Sequence, residues 1–510
     1  MTEKSLSAIL ASINAEAVVG SQSIRIRGIT YDSRRAREGW LFCALPGIHT
    51  DGKHYIPAAI AAGARAVLYE GQLESCEPHV SYVRVADVRR AMSALAAELY
   101  DHPDRRIPVI GVTGTDGKSS TVYFIHQLLS MSGAASGFLS TVAMQTDSET
   151  IVNPFRQSTP EATEVHEILH RMIESGKQVA VVEATSHGLS KLTSRLSDVS
   201  FAAGVLTNVT HEHLEFHGTF EQYRDDKANL FRSLSPGDSS FGVVNVDDKS
   251  AAYFASVTSH RTYGYSIRGG DAELSADTMA QDSEGISFSV NCAGRRFDSI
   301  RLNTPGAFNV ENVLAALIAA GGYLDPADPF AALPDLLQLV PRLVPVKGRL
   351  TPVRCGQPFG VMVDYAHTPG AFAKVLPMMR SSLAGRLIVV FGSGGERDRA
   401  KRPLQGEAAS AHADIVILSD EDPRGEDRMA ILEEIAAGCV GRTRGEDLFL
   451  IPDRREAVRK AVGLAAAGDL VLLLGKGHEY SIIYPDGPMH WDEEQEARDA
   501  LAEIGYVGMK

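Results

Sequence analysis

Cysteine is scarce in this sequence. Five cysteines occur in 510 residues, and no two of them form a C-x-x-C pair. Their odd number and scattered positions disfavour both a disulfide framework and a cysteine-based zinc site. We therefore expect a reducing compartment for this chain. The positions concerned are Cys43, Cys76, Cys292, Cys355 and Cys439.

An excess of positive charge and long apolar runs are also lacking. The chain has 50 lysines and arginines against 64 aspartates and glutamates, a net charge of −14. This composition gives no support for binding to nucleic acid or to an acidic membrane. No apolar run reaches the ~18 residues of a membrane span, and residues 1–20 contain no apolar stretch typical of a signal peptide. These absences predict a cytoplasmic protein with neither a nucleic-acid partner nor a membrane span.

Short apolar runs alternate with helical patterns along most of the chain. From Val109 onwards the buried-strand runs PVIGV, QVAVVEA and FAAGVLTNV are separated by helical stretches such as STVYFIHQLLSMSG. This alternation is typical of an α/β fold with a parallel sheet covered by helices. RTYGYSIRG, GISFSVNC and RRFDSIRLN are typical of antiparallel hairpins, and NVENVLAALIAAGGYL of a helix. Further on, FGVMVDYA, RLIVVFGSGG, ADIVILSDED and DLVLLLGKG predict a second parallel α/β unit.

Two proline-bearing segments mark candidate domain boundaries. DHPDRRIP, at residues 101–108, is predicted to be a linker, and PRLVPVK, at residues 341–347, a second boundary. A chain of this length is typical of about three domains. We expect domains at residues 1–103, 104–342 and 343–510.

The stretch GVTGTDGKSST, at residues 111–121, follows one predicted strand and opens the next predicted helix. The backbone N–H groups of such a loop and of a helix N-terminus can surround an anion. Lys118 can place its ammonium against the phosphates of a nucleotide, and Ser119 can offer a hydroxyl to Mg²⁺. Because the glycines differ from the strict Walker spacing, a tight turn with a solvated lysine is the alternative.

Two further segments carry candidate metal ligands. Glu183 ends the strand QVAVVE, at the sheet edge where the phosphates are expected, and Mg²⁺ prefers such oxygen ligands. In HEHLEFHG, at residues 211–218, His213 and His217 have the i, i+4 spacing of a helical zinc site, although HExxH is absent. A single histidine assisting a second Mg²⁺, and histidines that bind no metal, are the alternatives.

Seven motifs, in chain order, resemble those of the Mur ligase family: GTDGKS, VVEATSHGL, TNVTHEHLEFHG, GAFNVENVLAAL, VDYAHTPGA, GSGGERDRAKRP and GKGHE. The N-terminal YDSRRAREGWLFCALPG resembles the branch that adds the third residue of the peptide. The resemblance implies an N-terminal α/β UDP-binding domain, a central P-loop parallel-sheet ATPase domain and a C-terminal Rossmann-like amino-acid-binding domain. Folylpolyglutamate synthetases share the loop, but would not be expected to carry the N-terminal segment.

The resemblance also implies the residues that bind the substrates. Contacts with the UDP-linked substrate would be made by Asp32, Ser33, Arg34, Ser158, Thr159, Ser186 and Arg195. ATP would be bound by Gly114, Thr115, Asp116, Gly117, Lys118, Ser119, Ser120, Asn309, Asn312, Arg349 and Asp364. Arg195 follows its serine at a spacing that differs from the commonest family pattern.

The implied catalytic residues are Lys118, Glu183, His213 and Lys227, with Ser119, Glu183 and His213 as ligands of Mg²⁺. Lys227, in DDKANLF, matches a lysine that is carbamylated in the family. A carbamate would convert an ammonium into an anionic oxygen ligand beside the metal. A lysine paired with Asp225 or Asp226 is the alternative.

The acceptor amino acid is implied to contact Arg397, Glu421, Asp422, Arg424, Gly475 and Glu479. In SDEDPRGED, Arg424 matches an arginine that would pair with the distal carboxylate of diaminopimelate. Glu421 and Asp422 stand where the branch has Asp and Asn, and the extra acid favours a simple ammonium, as in lysine or ornithine. Arg424 favours meso-diaminopimelate, and L-lysine and L-ornithine stay open. For Arg424, a pairing with Glu426 or Asp427 at a helix start is the alternative.

The implied reaction joins UDP-N-acetylmuramoyl-L-alanyl-D-glutamate to a diamino acid in peptidoglycan synthesis. ATP and Mg²⁺ would convert the carboxylate into an acyl phosphate, which the amine then attacks. Because three substrates must meet, we expect domain closure, and we expect the protein to act as a monomer. A nucleotide-dependent binding protein without ligase chemistry and a folylpolyglutamate-synthetase-like ligase are the competing interpretations.

Overall fold

The structure is a computed structural model that describes residues 3–47, 50–155, 157–210, 212, 214–282, 285–381 and 383–507. The chain divides into two compact units. The first contains residues 1–275, 291–295 and 311–339, and the second contains residues 276–290, 296–310 and 340–510. The predicted three-domain boundaries at residues 103 and 342 stay a prediction.

The first hundred residues form a five-stranded sheet with apolar clusters of its own. The strand order is β2-β7-β6-β5-β4, and every neighbour pair is parallel except β2 with β7. Because helices cover both faces, the central strands are continuous apolar runs. The elements are β1 (Lys4–Ser5), α1 (Leu6–Leu10), β2 (Ala17–Val19), β3 (Arg25–Ile26), β4 (Gly28–Thr30), β5 (Trp40–Cys43), α2 (Ile56–Ala61), β6 (Ala66–Tyr69), β7 (Ser81–Arg84) and α3 (Val88–Leu99).

A larger sheet follows, with a parallel core in the order β9-β12-β8-β13-β14-β15. Its elements are β8 (Val109–Thr113), α4 (Lys118–Met131), β9 (Ser136–Leu139), β10 (Ala143–Gln145), β11 (Ile151–Val152), α5 (Ala162–Glu174), β12 (Val179–Glu183), α6 (Ser186–Leu189), β13 (Ala203–Leu206), α7 (Leu214–His217), α8 (Phe220–Arg232), β14 (Phe241–Asn245), α9 (Ala251–Ser256) and β15 (Thr262–Ser266). Gly111 lies in the middle of β8, where a Cβ would be 2.4 Å from Leu230 Cδ1. Glycine therefore allows α8 to pack directly on this central strand.

The chain then passes between the two units. Its elements here are β16 (Leu274–Gln281), β17 (Ile286–Cys292), β18 (Arg295–Leu302), α10 (Ala307–Leu324) and α11 (Leu333–Leu339). By length and composition α10 could cross a membrane, but 72% of its apolar window is buried inside the protein. Such burial is typical of a core helix.

The second unit contains a six-stranded sheet in the order β19-β20-β24-β21-β22-β23, parallel except for β19. Apolar clusters cover both of its faces. The elements are β19 (Thr351–Pro352), β20 (Gly360–Asp364), α12 (Pro369–Ser381), β21 (Leu387–Phe391), α13 (Lys401–His412), β22 (Ile415–Leu418), α14 (Arg428–Ala436), β23 (Leu448–Leu450), α15 (Arg454–Leu464), β24 (Leu470–Leu474), β25 (Ser481–Tyr484), β26 (Gly487–His490) and α16 (Glu493–Glu503).

The α/β fold class is confirmed, and the buried-strand runs form strands as predicted. One prediction is wrong: TYGYS, which forms β15, pairs in parallel with β14 and is not part of an antiparallel hairpin. The reason is the crossover through α9, which returns the chain to the same end of the sheet. The expected linker at 101–108 contains a short 3-10 helix, Pro103–Arg105, in which Pro103 and Asp104 are buried.

A buried ion pair joins two helices and two strand ends of the second unit. Arg454 and Glu493 have fully buried side chains, with 2.8 Å between Nη2 and Oε1. Arg454 also donates to the backbone oxygens of Asp420 and Leu474, just after β22 and at the end of β24.

We expect Arg454→Met to reduce the free energy of unfolding by about 3–5 kcal/mol, because it leaves the Glu493 carboxylate buried without its partner. The matched control is Arg459→Met, which removes the partly exposed pair with Glu503 and should change stability by less than about 1 kcal/mol. Urea unfolding followed by tryptophan fluorescence measures both. Equal small losses in the two variants would contradict the structural role of Arg454.

Candidate active site

The glycine loop leaves β8 and leads into α4. Gly114 has a φ of 147° and Gly117 a φ of 82°. A Cβ at Gly114 would lie 1.9 Å from Thr207 Oγ1, and one at Gly117 would lie 2.3 Å from Asn312 Oδ1. Both positions therefore need glycine, for the backbone conformation and for the close approach of a neighbouring side chain.

The segment after β13 holds this loop in place. Thr115 N donates to Asn208 O at 2.7 Å, and Asp116 N donates to Asn208 Oδ1 at 3.0 Å. Thr207 Oγ1 donates to Asp116 O at 2.7 Å. These bonds fix the direction in which the loop amides point.

The N-terminal end of α4 fits a phosphate group. Its N-cap, Gly117, makes no side-chain capping bond, so the first-turn amides, which lack intrahelical acceptors, are not satisfied by a cap. The helix dipole adds positive potential at this end. Lys118 Nζ lies beside it and donates to Thr115 O at 2.7 Å. Ser119 and Ser120 follow in the same turn.

A carboxylate and two hydroxyls meet beside the same helix end. Glu183 is the last residue of β12 and is 1% exposed. Ser119 Oγ donates to Glu183 Oε2 at 2.7 Å. Thr141 donates to Oε2 through its backbone N at 2.9 Å and to Oε1 through its hydroxyl at 2.8 Å. Because Mg²⁺ prefers hard oxygen ligands, this group fits the ion.

The histidine segment is described only in part. His213, the third predicted Mg²⁺ ligand, lies outside the described residues. His217 is buried, with Nδ1 2.8 Å from Asp226 Oδ2 and Nε2 3.1 Å from Ser186 Oγ. Both ring nitrogens have protein partners, which disfavours zinc binding by His217. Within the described ranges there is no cluster of three His, Cys, Asp or Glu side chains that could hold a metal.

Lys227 lies directly behind the loop and is fully buried. Its Nζ donates to Gly114 O at 2.6 Å and lies 4.4 Å from the centre of the Tyr223 ring. Burial, together with the charge of Lys118, lowers the pKa of Lys227 well below its ordinary value. The alternative partners are engaged elsewhere, since Asp225 pairs with Arg232 and Asp226 with His217.

The predicted contacts with the UDP-linked substrate form two groups in the first unit. Asp32, Ser33 and Arg34 form a turn in which Asp32 Oδ1 accepts from Arg34 N at 3.0 Å. The other group, Ser158, Thr159, Ser186 and Arg195, adjoins the end of β12. Thr159 Oγ1 donates to Glu183 O at 2.8 Å, and Arg195 Nη1 donates to Thr159 O at 3.1 Å.

The predicted nucleotide contacts beyond the loop lie in both units. In the first, Asn312 Oδ1 accepts from Thr121 Oγ1 at 3.2 Å. In the second, Asn309 Nδ2 donates to Pro305 O at 2.7 Å. Asp364 ends β20 and accepts from the backbone N of Leu350 and of Ala366, each at 2.8 Å. Burial raises the pKa of Asp364, and the guanidinium carbon of Arg349 lies 4.9 Å from the centre of the Tyr365 ring.

In the second unit, predicted amino-acid contacts lie after β22 and β24. Lys476 is buried and donates to Asp422 Oδ1 at 2.9 Å and to Glu479 Oε2 at 2.6 Å. Glu421 makes no hydrogen bond or ion pair with the described part of the chain, and burial raises the pKa of its carboxyl to about 7. A Cβ at Gly475 would lie 3.1 Å from Glu421 Oε2.

Arg424 lies in the same loop as Glu421. Its Nη2 is 4.0 Å from Asp422 Oδ2, and its Nε is buried without a hydrogen bond. The alternative partners have other roles, because Glu426 pairs with Arg402 and Asp427 caps α14. Arg424 is therefore able to bind a carboxylate. Arg397, the other candidate for this contact, is exposed.

Sequence reasoning missed three residues of these sites: Thr141, Thr207 and Lys476. Thr141 and Thr207 each follow the end of a parallel strand that neighbours β8 or β12. Their position at the carboxyl edge of the sheet was the available signal. Lys476 lies inside the GKGHE motif, but its burial between two carboxylates depends on tertiary structure, in which β22 and β24 pair with opposite edges of β21.

Comparison with known proteins places the chain among characterised relatives. Three family models match it in succession: "Mur ligase family, catalytic domain" at residues 25–100, "Mur ligase middle domain" at residues 112–320, and "Mur ligase, glutamate ligase domain" at residues 348–477. The chain is 47% identical to a UDP-N-acetylmuramyl-tripeptide synthetase of Treponema denticola, over 98% of each chain.

A more distant relative and a solved structure agree with this match. The UDP-N-acetylmuramoyl-L-alanyl-D-glutamate--2,6-diaminopimelate ligase of Caldanaerobacter subterraneus is 34% identical over 95% of this chain and 97% of its own. A solved structure of a ligase of that name has a TM-score of 0.67 and 30% identity, covering 99% of this chain and all of the other. Since relatives of this identity extend over nearly its whole length, the chain belongs to the Mur ligase family.

Proposed function

We propose that this Mur ligase adds a diamino acid to UDP-N-acetylmuramoyl-L-alanyl-D-glutamate in peptidoglycan synthesis, with ATP as the energy source. The observation that carries the proposal is the meeting of Lys118, Ser119 and Glu183 at one edge of a parallel sheet, next to Thr159. A folylpolyglutamate-synthetase-like ligase is less well supported, because the tripeptide synthetase and diaminopimelate ligase relatives match almost the whole chain.

The chemical problem is that a carboxylate is a poor electrophile. Transfer of the γ-phosphoryl group of ATP to the D-glutamyl carboxylate gives an acyl phosphate and ADP. The amine then attacks the acyl carbon, and phosphate leaves as the amide forms. Both steps concentrate negative charge near the transferred phosphoryl group, so the protein contributes by positioning and by electrostatic stabilisation.

Different residues of the first unit would bind the phosphates, the Mg²⁺ ion and the UDP-linked substrate. The α4 amides and Lys118 would hold the β- and γ-phosphates, because they offer positive potential in a fixed direction. Ser119 and Glu183, with His213, would hold Mg²⁺, which when bound neutralises phosphate charge. Thr141 would orient the Glu183 carboxylate, since it donates to both of its oxygens. Thr159 would bring the UDP-linked substrate next to the same strand end.

Lys227 is proposed to be carbamylated. Carbamylation requires a neutral amine, and burial, which lowers the pKa of Lys227, favours that form. The product would be an anionic oxygen ligand behind the loop, where the metal and Lys118 supply positive charge.

The acceptor is proposed to be meso-diaminopimelate, with L-lysine or L-ornithine as the alternative. The distal end of diaminopimelate carries both an ammonium and a carboxylate. Glu421 offers an unpaired acid and Arg424 an available guanidinium in one loop, and together they match those two groups. The distal ammonium of lysine or ornithine would use the acid alone.

Lys118→Ala should lower kcat by about 10²-fold or more, because it removes one preorganised charge from the site of phosphoryl transfer. The control is Lys249→Ala, which removes an exposed lysine of the same unit and should leave kcat unchanged. Steady-state release of ADP measures both. Near-normal turnover of Lys118→Ala would refute the role of the loop.

Protein equilibrated with ¹³C-bicarbonate should show a carbamate carbonyl signal by NMR, and Lys227→Met should lack it. Lys227 is the predicted site because its neutral amine is favoured by burial. Removal of CO₂ should lower activity and its return should restore it. A wild-type protein with full activity and no carbamate signal would exclude this modification.

Release of ADP should require both UDP-N-acetylmuramoyl-L-alanyl-D-glutamate and a diamino acid. We expect meso-diaminopimelate to give the highest kcat/KM among meso-diaminopimelate, L-lysine and L-ornithine, and Arg424→Ala to reduce that preference. Folates in place of the UDP-linked substrate should give no turnover. Nucleotide binding without ADP release under all these conditions would instead indicate a binding protein.

A further inference from the structure

Helix α5 begins just after the Ser158 and Thr159 segment, and its start carries two buried carboxylates. Glu161 is the N-cap residue, yet its side chain makes no capping hydrogen bond. Glu164 lies in the first turn. Their side chains are 5% and 4% exposed. Carboxylates are favoured at a helix N-terminus, but their orientation here is explained by arginines that approach from other parts of the first unit.

Two of these arginines belong to the first hundred residues. Arg35 Nη1 donates to Glu164 Oε1 at 3.0 Å. Arg35 directly follows the turn at 32–34, which is the predicted uridine-nucleotide contact. Arg89, on α3, places Nη1 3.6 Å from Glu161 Oε2. The two carboxylates thus attach the turn and α3 to the start of α5.

Glu161 continues this connection towards the phosphate site. Its Oε1 pairs with Arg195 Nη2 at 3.0 Å. Arg195 Nη1 donates to Thr159 O at 3.1 Å, and Thr159 Oγ1 donates to Glu183 O at 2.8 Å. The Glu161 carboxylate therefore pairs with one arginine from α3 and with one from the segment between α6 and β13, which in turn contacts Thr159.

We propose that Glu161 and Glu164 are positioning residues, which hold the turn at 32–34 and the segment at 158–159 at a fixed separation. This inference rests on the proposed function, in which the turn binds the nucleotide end and the segment the sugar-peptide end of one substrate. A ligand that binds to two sites at once gains its full affinity only when the distance between the two sites matches the length of the ligand. Because the acids are buried, loss of one charge leaves an arginine uncompensated, and the separation is no longer fixed.

The experiment compares a ligand that reaches one site with a ligand that reaches both. Glu161→Gln and Glu164→Gln should bind UDP as tightly as the wild type. Their affinity for UDP-N-acetylmuramoyl-L-alanyl-D-glutamate should fall about tenfold or more, with the KM for ATP unchanged. The matched control is Glu174→Gln on the same helix, which removes an exposed acid paired with His170 and should alter neither affinity.

Two further variants keep the test decisive if a glutamine variant does not fold. Arg89→Gln should show the same selective loss for the full substrate, and Arg89→Lys, which keeps the charge, should restore the affinity. Calorimetric titration measures all of these affinities.

Unchanged affinity for the full substrate in the Glu161, Glu164 and Arg89 variants would overturn the inference, and so would a parallel loss of UDP and full-substrate binding. If the wild-type protein binds UDP but not the full substrate, the proposed function itself fails, and the inference fails with it.

Discussion

The hydrogen bond from Ser119 to Glu183 links the first turn of α4, which follows β8, to the end of the neighbouring strand β12, and the arrangement of the site depends on it. Ser119 reaches this position because the loop after β8 turns sharply at two glycines and starts a helix. Glu183 reaches it because β12 pairs with β8 in register, with Glu183 opposite Val112. Since all strands of the parallel core end at the same edge, the loops that follow β9 and β13 supply Thr141 and Thr207 to the same place. The glycine loop and the Glu183 carboxylate are thus brought together by one topological constraint.

Buried ionisable side chains in the first unit are stabilised in two different ways. Glu161 and Glu164 form ion pairs with arginines, and these pairs connect elements that are far apart in sequence. Among the described residues, no carboxylate is hydrogen-bonded to Lys227, which instead donates to the backbone oxygen of Gly114. Burial then favours its neutral form. The ion pairs therefore hold distant elements together, whereas burial lowers the pKa of Lys227.

The second unit combines paired and unpaired charges in a single loop region. Lys476 satisfies Asp422 and Glu479, so these two acids are compensated within the protein. Glu421 is left without a partner among the described residues, and Arg424 has a guanidinium with only a distant contact to Asp422. Groups that the protein leaves unsatisfied are the ones available to a ligand, because burial of an unpaired charge is unfavourable unless something else compensates it.

The sequence by itself determined the local elements, the α/β class and the chemistry of the glycine loop. Apolar runs such as VIGVT and LVLLL are buried on both faces, so they could be recognised without any tertiary information.

The direction of strand pairing was harder to predict from the sequence. TYGYS has the composition of a hairpin strand, and only the crossover through α9 makes its pairing with β14 parallel. Tertiary structure alone decided which side chains meet. Thr141 and Glu183 are 42 residues apart, and Arg89 lies on α3 whereas Glu161 precedes α5, so no spacing rule joins either pair. Sequence patterns record the periodicity of one element, whereas a site is assembled from the ends of several elements, whose proximity is set by strand order and packing.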